Sequence, residues 1–202
     1  QFQIEDQPAS FGMVFPANLK TDAEAYQYKQ TDDPEGRTDR FSGKEKWDPV
    51  AAGSLIVHRR QDGDYVADGH QRRGLAVAAR ERGDRPDNIL ARAVILNESD
   101  GWSVGDVRLL AAGNNILSET GSAIDAAKVL REGGPELIGA MREQVNTKRA
   151  AWRDAEGMAN LSDMAFDSVV NEVIRPQDAA AIGEFITDDA KQMAAVEYSR
   201  DN

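Results

Sequence analysis

The sequence predicts an α+β fold, in which a small mixed sheet with helices is followed by an all-helical region. Two short strand patterns lie on either side of a turn at 55–67, and a helical pattern begins directly after them. From residue 103 onward every periodic stretch has helical spacing and none alternates. We therefore expect a core domain at 1–117, with an extended N-terminal segment, and a helical region at 118–202.

Composition limits the classes of protein to be considered. The 202 residues, 41% hydrophobic and 29% charged, are typical of a globular chain that buries a real core. No apolar run approaches the roughly 18 residues of a membrane span, so we expect no membrane partner. The absence of cysteine excludes disulfides, thiolate zinc sites and cysteine nucleophiles, and it favours a reducing compartment.

The N-terminal residues bear on whether the chain is part of a longer polypeptide and on where the protein is located. Gln1–Glu5 has neither an initiator methionine nor the basic and apolar stretches of a secretory signal. This favours a fragment of a longer polypeptide, whose other domains would be its partners. We expect the protein in the cytoplasm or associated with a virion.

The N-terminal quarter of the sequence differs in character from the rest of the chain. Residues 1–53 are rich in turn formers and show little periodicity, and Asp32–Gly36 is typical of a loop. Leu55–Arg59 and Tyr65–Ala67 are predicted strands, with Gln61–Asp64 as the hairpin turn between them.

A helix is predicted immediately after Gly69. Its apolar positions fall at helical spacing, and Gly83 is a typical helix end. These positions are Leu75, Ala78 and Ala79. A buried strand at 89–96 completes the predicted sheet.

Serines at cap positions open three helices of the C-terminal region, at Ser103, Ser122 and Ser162. The first helix is expected to end at Gly113-Asn114-Asn115, and the third at Pro176. Two further helices are predicted before the end of the chain.

The transition from strand to helix at Gly69 predicts an anion site. A helix that begins directly after a strand aims backbone N–H groups and the positive end of its dipole at one point. His70, Arg72 and Arg73 add donors, which favours a nucleotide phosphate. The alternative, which stays open, is that Gly69 is a plain turn and the arginines form a solvated helix face.

The segment Asp64–Ala76 resembles the central signature of the ParB/sulfiredoxin-like superfamily. Tyr26-Gln27-Tyr28-Lys29 and Gly113–Ile116 are similar to two further boxes of that family, in the right order. With Trp47-Asp48-Pro49, the pattern looks most like the ParB-like domain of large phage and mobile-element proteins, some of them linked to antirestriction. The resemblance covers roughly residues 19–130.

This resemblance implies a nucleoside triphosphate as ligand, with slow hydrolysis or phosphotransfer left open. The residues implied to hold the nucleotide are Gly69, His70, Gln71, Arg72, Arg73, Asn114 and Asn115. Asp68 and Asn115 would help to place a magnesium ion, which prefers hard oxygen ligands. Glu24 and Glu45 are candidate acidic bases by position only.

Two departures from the family pattern narrow the implied chemistry. The sulfiredoxin reaction needs a cysteine in the central signature, and this chain has none. Leu117-Ser118 stands where partition proteins continue with glutamine and arginine, which removes an expected phosphate contact and weakens the case for a CTP-dependent switch.

Two other function classes remain as alternatives: a structural or protein-interaction module that has lost nucleotide binding, and a DNA-binding or nuclease domain. Ala151–Ala181 is similar to the helix-turn-helix-like region of partition proteins. However, the chain has a net charge of −11, and 161–202 carries nine acidic and three basic residues, a net charge of −6. We therefore expect weak or no binding of duplex DNA by this domain alone. One basic cluster could touch a DNA backbone from a single helix, and it comprises Arg142, Lys148, Arg149 and Arg153.

Isolated histidine and tryptophan residues predict packing and not chemistry. His58 has no second histidine or carboxylate cluster at metal-ligand spacing, so we interpret it as structural or exposed. Trp47, Trp102 and Trp152 are scattered along the chain and are expected to pack in the core or between domains.

Overall fold

A computed structural model gives the fold, and it describes residues 7–26, 47–48, 53–83, 89–118, 121–144, 147 and 149–201. The chain divides into two compact units, Gln1–Ala111 and Ala112–Asn202, and each is described by itself. The first contains a small mixed sheet with helices, and the second is helical where it is described. The predicted α+β class is therefore confirmed.

The sheet of the first unit has four described strands in the order β1-β4-β2-β3. Their bounds are β1 Ala9–Val14, β2 Ser54–Arg60, β3 Gly63–Asp68 and β4 Ala91–Asn97. The predicted hairpin is confirmed, since β2 pairs antiparallel with β3 across the turn at 61–62. The sheet is mixed because β2 also pairs parallel with β4, while β1 pairs antiparallel with β4.

The sequence predicted no strand or helix before about residue 54, and this was wrong, since β1 lies at Ala9–Val14. The strand was missed because it is an edge strand whose residues are largely exposed, so its apolar residues do not alternate with polar ones. Gly12 inside the strand is also typical of a turn. A short 3-10 helix at Pro16–Asn18 and the helix α1 at Ala23–Tyr26 follow β1. Asp32–Gly36 lies outside the described residues.

Helix α2, at His70–Glu81, follows β3 directly, as predicted. It ends before Gly83, which has a φ of +88°. The central strands β2 and β4 are buried on both faces. One face contributes Leu55, Val57, Ala93 and Ile95 to a core cluster. The other contributes Ile56 and Leu96, which pack with Tyr26, Trp102 and Val107.

Helices make up everything described after β4, apart from turns and a 3-10 helix at Glu98–Asp100. Their bounds are α3 Val104–Leu117, α4 Ala123–Glu132, α5 Gly134–Gln144, α6 Ala150–Ala159, α7 Asp163–Val170, α8 Pro176–Phe185 and α9 Asp189–Asp201. None of the described helices combines the length and the apolar character needed to cross a bilayer.

The predicted serine caps are present. Ser122 forms a capping box with Asp125, in which each side chain accepts a hydrogen bond from the other residue's backbone N–H, at 3.1 and 3.0 Å. The Ser103 hydroxyl accepts from the Asp106 backbone N–H in the same way, and Ser162 caps α7. These local hydrogen bonds fix where the three helices begin.

Two predicted helix ends were wrong. Helix α3 continues through Gly113-Asn114-Asn115, and the Ser118 backbone N–H still donates to the Asn114 carbonyl at 2.9 Å. Gly113 is buried, so packing outweighs its low helix propensity. Helix α7 ends at Val170, because Glu172 adopts a left-handed φ of 58°, and Pro176 opens α8 instead of closing α7.

Helices α6 and α8 approach at two glycines of the second unit. A Cβ on Gly157 would overlap with the carbonyl group of Ala180, and a Cβ on Gly183 would overlap with the carbonyl oxygen of Gly157. The two backbones are therefore in direct contact, which only residues without a side chain allow.

Candidate functional site

A single residue, Gly69, separates β3 from α2 at the predicted site. It has a φ of 107° and a ψ of 24°, in the left-handed region. A Cβ at this position would also overlap with the Leu55 side chain of β2. Glycine is therefore required here for two reasons, the left-handed backbone conformation and the lack of room for a Cβ. The chain passes from strand to helix within this one residue.

The first turn of α2 opens at the end of β3. The first α-helical hydrogen bond runs from the Arg73 backbone N–H to the Gly69 carbonyl at 2.9 Å, so the N–H groups of the preceding positions point out of the helix end. The first turn contains no acidic residue, and Gly69 has no side chain to cap it. Five other helices each carry an aspartate in the first turn, at Asp106, Asp125, Asp163, Asp178 and Asp189.

His70 is the first residue of α2 and is only 4% exposed. Its Nε2 atom is buried and has no hydrogen-bond partner. Burial, and then the positive charges of Arg73 and Arg72, lower the pKa of His70 to about 4. The imidazole is therefore neutral at pH 7, and one of its polar atoms is unsatisfied.

The two arginines of the first turn are tied to the protein itself. Arg72 donates to the Asp68 carboxylate at 2.9 Å and to the Ser54 carbonyl at 2.6 Å. Arg73 donates from Nε to the Leu19 carbonyl at 2.7 Å. The alternative of a solvated arginine face is therefore wrong, since both guanidinium groups are part of a network that joins α2 to neighbouring segments.

Asp68, the last residue of β3, forms an ion pair with Arg72, and its side chain is 13% exposed. Within the described ranges, no group of three or more His, Asp or Glu residues is placed to hold a metal ion. One carboxylate already paired with an arginine does not make a magnesium site. The residues at this junction therefore do not fit the implied metal, and no chemistry is assigned to it.

The structure brings Asp68, Gly69, His70, Gln71, Arg72 and Arg73 together at one junction of the first unit. Gln71 is the second residue of α2 and is partly buried. Asn114 and Asn115, the other two residues implied to hold the nucleotide, lie on α3 in the second unit. Asn114 is exposed and Asn115 is partly buried.

A second polar cluster, not predicted as such, lies in the core of the first unit. The Tyr26 hydroxyl lies 2.6 Å from His58 Nδ1, and His58 Nε2 lies 3.0 Å from the Trp102 carbonyl. A carbonyl only accepts, so Nε2 carries the proton and Nδ1 accepts from Tyr26. Burial raises the pKa of Tyr26 to about 12 and lowers the pKa of His58.

Both residues of this pair are almost fully buried, so the pair fixes the core and is not open to a substrate. The interpretation of His58 as structural is confirmed. The signal that could have shown its burial is its position directly after the apolar run of β2, where His58 shares a face with the buried Ile56. The pairing with Tyr26 had no local signal.

The remaining predicted residues are scattered. Glu24 lies in α1, whereas Glu45, Gln27-Tyr28-Lys29 and Pro49 lie outside the described residues. Trp102 and Trp152 are buried, and Trp47 packs partly buried against the core of the first unit, as expected of packing residues.

The predicted basic cluster does not lie on one helix. Arg142 belongs to α5 and pairs with Glu156 at 2.8 Å, whereas Arg149 directly precedes α6 and Arg153 lies within it. Lys148 lies outside the described residues.

Comparison of the sequence with protein-family models gives no match, and a search of the curated proteins gives no significant match.

Proposed function

We propose that the first unit binds a phosphate-bearing ligand, a nucleoside triphosphate, at the junction of β3 and α2, in the manner of a ParB-like domain. One observation carries the proposal. The left-handed Gly69 opens α2 into a first turn without acidic residues, and beside it the buried Nε2 of His70 has no partner. Backbone N–H groups and the helix dipole favour an anion at such a point.

Charge supports the same conclusion. Arg72 and Arg73 lie at the positive end of the helix dipole, where a cation is unfavourable. Asp68 forms an ion pair with Arg72. A phosphate bound at the start of the helix would add negative charge beside these guanidinium groups, and it would also give the His70 ring an acceptor for an Nε2 proton.

One observation favours a second candidate, a structural module without nucleotide binding. The guanidinium groups already bind Asp68, Ser54 and Leu19, which ties α2 to the rest of the first unit. On this view the arginines serve the fold. Replacing them by alanine would therefore weaken both the fold and any ligand site, and cannot separate the two candidates.

Gln71→Glu is a sharper test, because it adds a negative charge at the second position of α2. The charge suits the helix dipole, so the fold should be kept, but it should repel a phosphate and weaken binding on the order of tenfold. Gln177→Glu is the matched control. Gln177 is the second residue of α8, is exposed, and belongs to the other unit.

Binding is measured from backbone amide shifts in ¹H–¹⁵N spectra, first with inorganic phosphate and then with each nucleoside triphosphate. We expect saturable shifts at Gly69 and His70 in the wild type and in Gln177→Glu, and much weaker ones in Gln71→Glu. Saturable shifts with triphosphates that Gln71→Glu does not weaken would place the ligand elsewhere. No shifts with any of these ligands would favour the structural module.

A further inference from the structure

We propose that two copies of this chain associate through the outer edge of β1, so that the two β1 strands pair antiparallel and join the two sheets, each of four described strands, into one. The outer edge is the side of Ala9–Val14 that faces away from β4. Among the described strands, β1 has β4 as its one neighbour. An edge strand presents backbone N–H and C=O groups that another strand can pair with. This inference does not depend on the proposed phosphate site.

The opposite edge of the sheet, at β3, is covered and charged. At β3 the backbone of Lys20 forms a bridge, donating to the Asp64 carbonyl at 2.9 Å and accepting from the Val66 N–H at 3.0 Å. The charged side chains of Lys20, Asp62 and Asp64 also lie along this edge or at its turn. Coverage and charge are common means of keeping an edge strand from pairing, and β1 shows neither in the described residues.

The side chains of β1 add an apolar surface to this edge. Phe11 is 82% exposed and Met13 is 58% exposed, and Phe15 follows at the next alternate position with 44% exposed. Alternate residues of a strand point to the same face. A paired strand would therefore cover both the backbone groups and the side chains of Phe11 and Met13.

The absence of charge and the self-complementary order of its side chains favour a second copy of the chain as the partner. No charged residue occurs from Gln7 to Leu19, although 29% of the chain is charged and its net charge is −11. The acidic surfaces of two copies repel each other, whereas this uncharged segment adds no repulsion of its own. The segment also complements itself. With the axis at Gly12, Phe11 lies opposite Met13 of the second copy on the same face, and Met13 lies opposite Phe11 of the second copy.

The size of the contact sets its strength. A pair of six-residue strands buries less than the roughly 800 Å² per partner of a standard interface, so the dimer should be weak. We expect a dissociation constant in the micromolar range, and therefore a mass that depends on protein concentration.

Sedimentation equilibrium over about 1–300 μM tests the proposal. The variant is Phe11→Lys, which places a charge on the exposed face of β1, and the control is Phe185→Lys, at a phenylalanine that is 78% exposed at the end of α8. The wild type and Phe185→Lys should dimerise alike, and Phe11→Lys should stay monomeric. Circular dichroism checks the fold, and Met13→Lys replaces Phe11→Lys if that variant unfolds. A wild type that stays monomeric throughout, or a β1 variant that dimerises like the wild type, would overturn the proposal.

The absence of cysteine allows a direct measurement of geometry. A nitroxide attached at Ser10→Cys reports the separation of the two β1 strands. With the axis anywhere from Phe11 to Met13, the two Cα atoms of residue 10 lie within about 20 Å. Nitroxide separations beyond about 40 Å would show a dimer formed through another surface, and would equally reject β1 pairing.

Discussion

Replacing His70 with glutamine should reduce the loss of stability of the first unit in acid. Burial and two neighbouring arginines lower the pKa of His70 from 6.5 to about 4 in the folded protein. In the unfolded chain the ring has its ordinary pKa, so between these two values the unfolded state binds a proton that the folded state does not. The free energy of unfolding should therefore be highest above pH 6.5 and fall as the pH falls through this window.

The magnitude follows from the two pKa values. Between pH 7.5 and pH 5, the wild type should lose about 2 kcal/mol through this one group. The pKa of His58 is lowered as well, also by burial, so His58 contributes in the same direction. His58 and the carboxylates are the same in both proteins, so their contributions cancel when the wild type is compared with His70→Gln.

The assay is urea unfolding at pH 7.5 and pH 5, followed by tryptophan fluorescence in a Trp152→Phe background. The remaining tryptophans, Trp47 and Trp102, both belong to the first unit. The wild type should lose about 2 kcal/mol more than His70→Gln on acidification. Losses equal to within about 0.5 kcal/mol would show that His70 titrates alike in both states, and would refute the argument from burial.

Two further substitutions test the packing of each unit. Gly157→Ala should destabilise the second unit by about 1–3 kcal/mol, because the new Cβ overlaps with Ala180 of α8. Gly139→Ala in α5 is its control, since the new Cβ meets nothing within 4 Å and should stabilise the helix by up to about 1 kcal/mol. If urea unfolding gives Gly157→Ala the same stability as the wild type, α6 and α8 can move apart without a loss of stability. Tyr26→Phe should destabilise the first unit by about 1–3 kcal/mol, because His58 Nδ1 then lies buried without a donor. An unfolding midpoint like that of the wild type would mean that water replaces the hydroxyl.

The hairpin and the start of α2 were predictable because their signals are local. Short apolar runs mark the strands on either side of the turn at 61–62, and Gly69 marks the point where the spacing changes from strand to helix. The same holds for the capping box at Ser122, where both partners lie within four residues. Each of these features involves neighbours that the sequence shows directly.

The partners of the site residues were not predictable, because they are distant in sequence. Arg72 binds the Ser54 carbonyl, 18 residues away, and Arg73 binds the Leu19 carbonyl, 54 residues away. Every residue has a backbone carbonyl, so the amino-acid type does not show which carbonyl accepts a hydrogen bond from an arginine. The sequence therefore indicated two arginines at a helix start without showing that the protein itself already uses them.

Burial explains the wrong end of α3. Gly113-Asn114-Asn115 has the composition of a helix end, but Gly113 is buried and the helical hydrogen bonds continue past it. Propensity is a weak preference, and packing on one side of a helix outweighs it. A single sequence contains the preference but not the packing.

The register of β1 has a consequence for how the chain is made. Ala9 pairs with Leu96, so the first strand of the sheet is synthesised 87 residues before its partner. At 5–20 residues per second the interval is roughly 4–17 s, whereas a hairpin or a helix forms within microseconds. During that time Phe11 and Met13 belong to an uncharged strand whose partner β4 does not yet exist. Other nascent copies of the same chain can lie close by. Correct folding of the first unit therefore requires that β1 stays unpaired until β4 has been synthesised. The yield of folded protein should be highest where the rate of expression is low and chaperones are abundant.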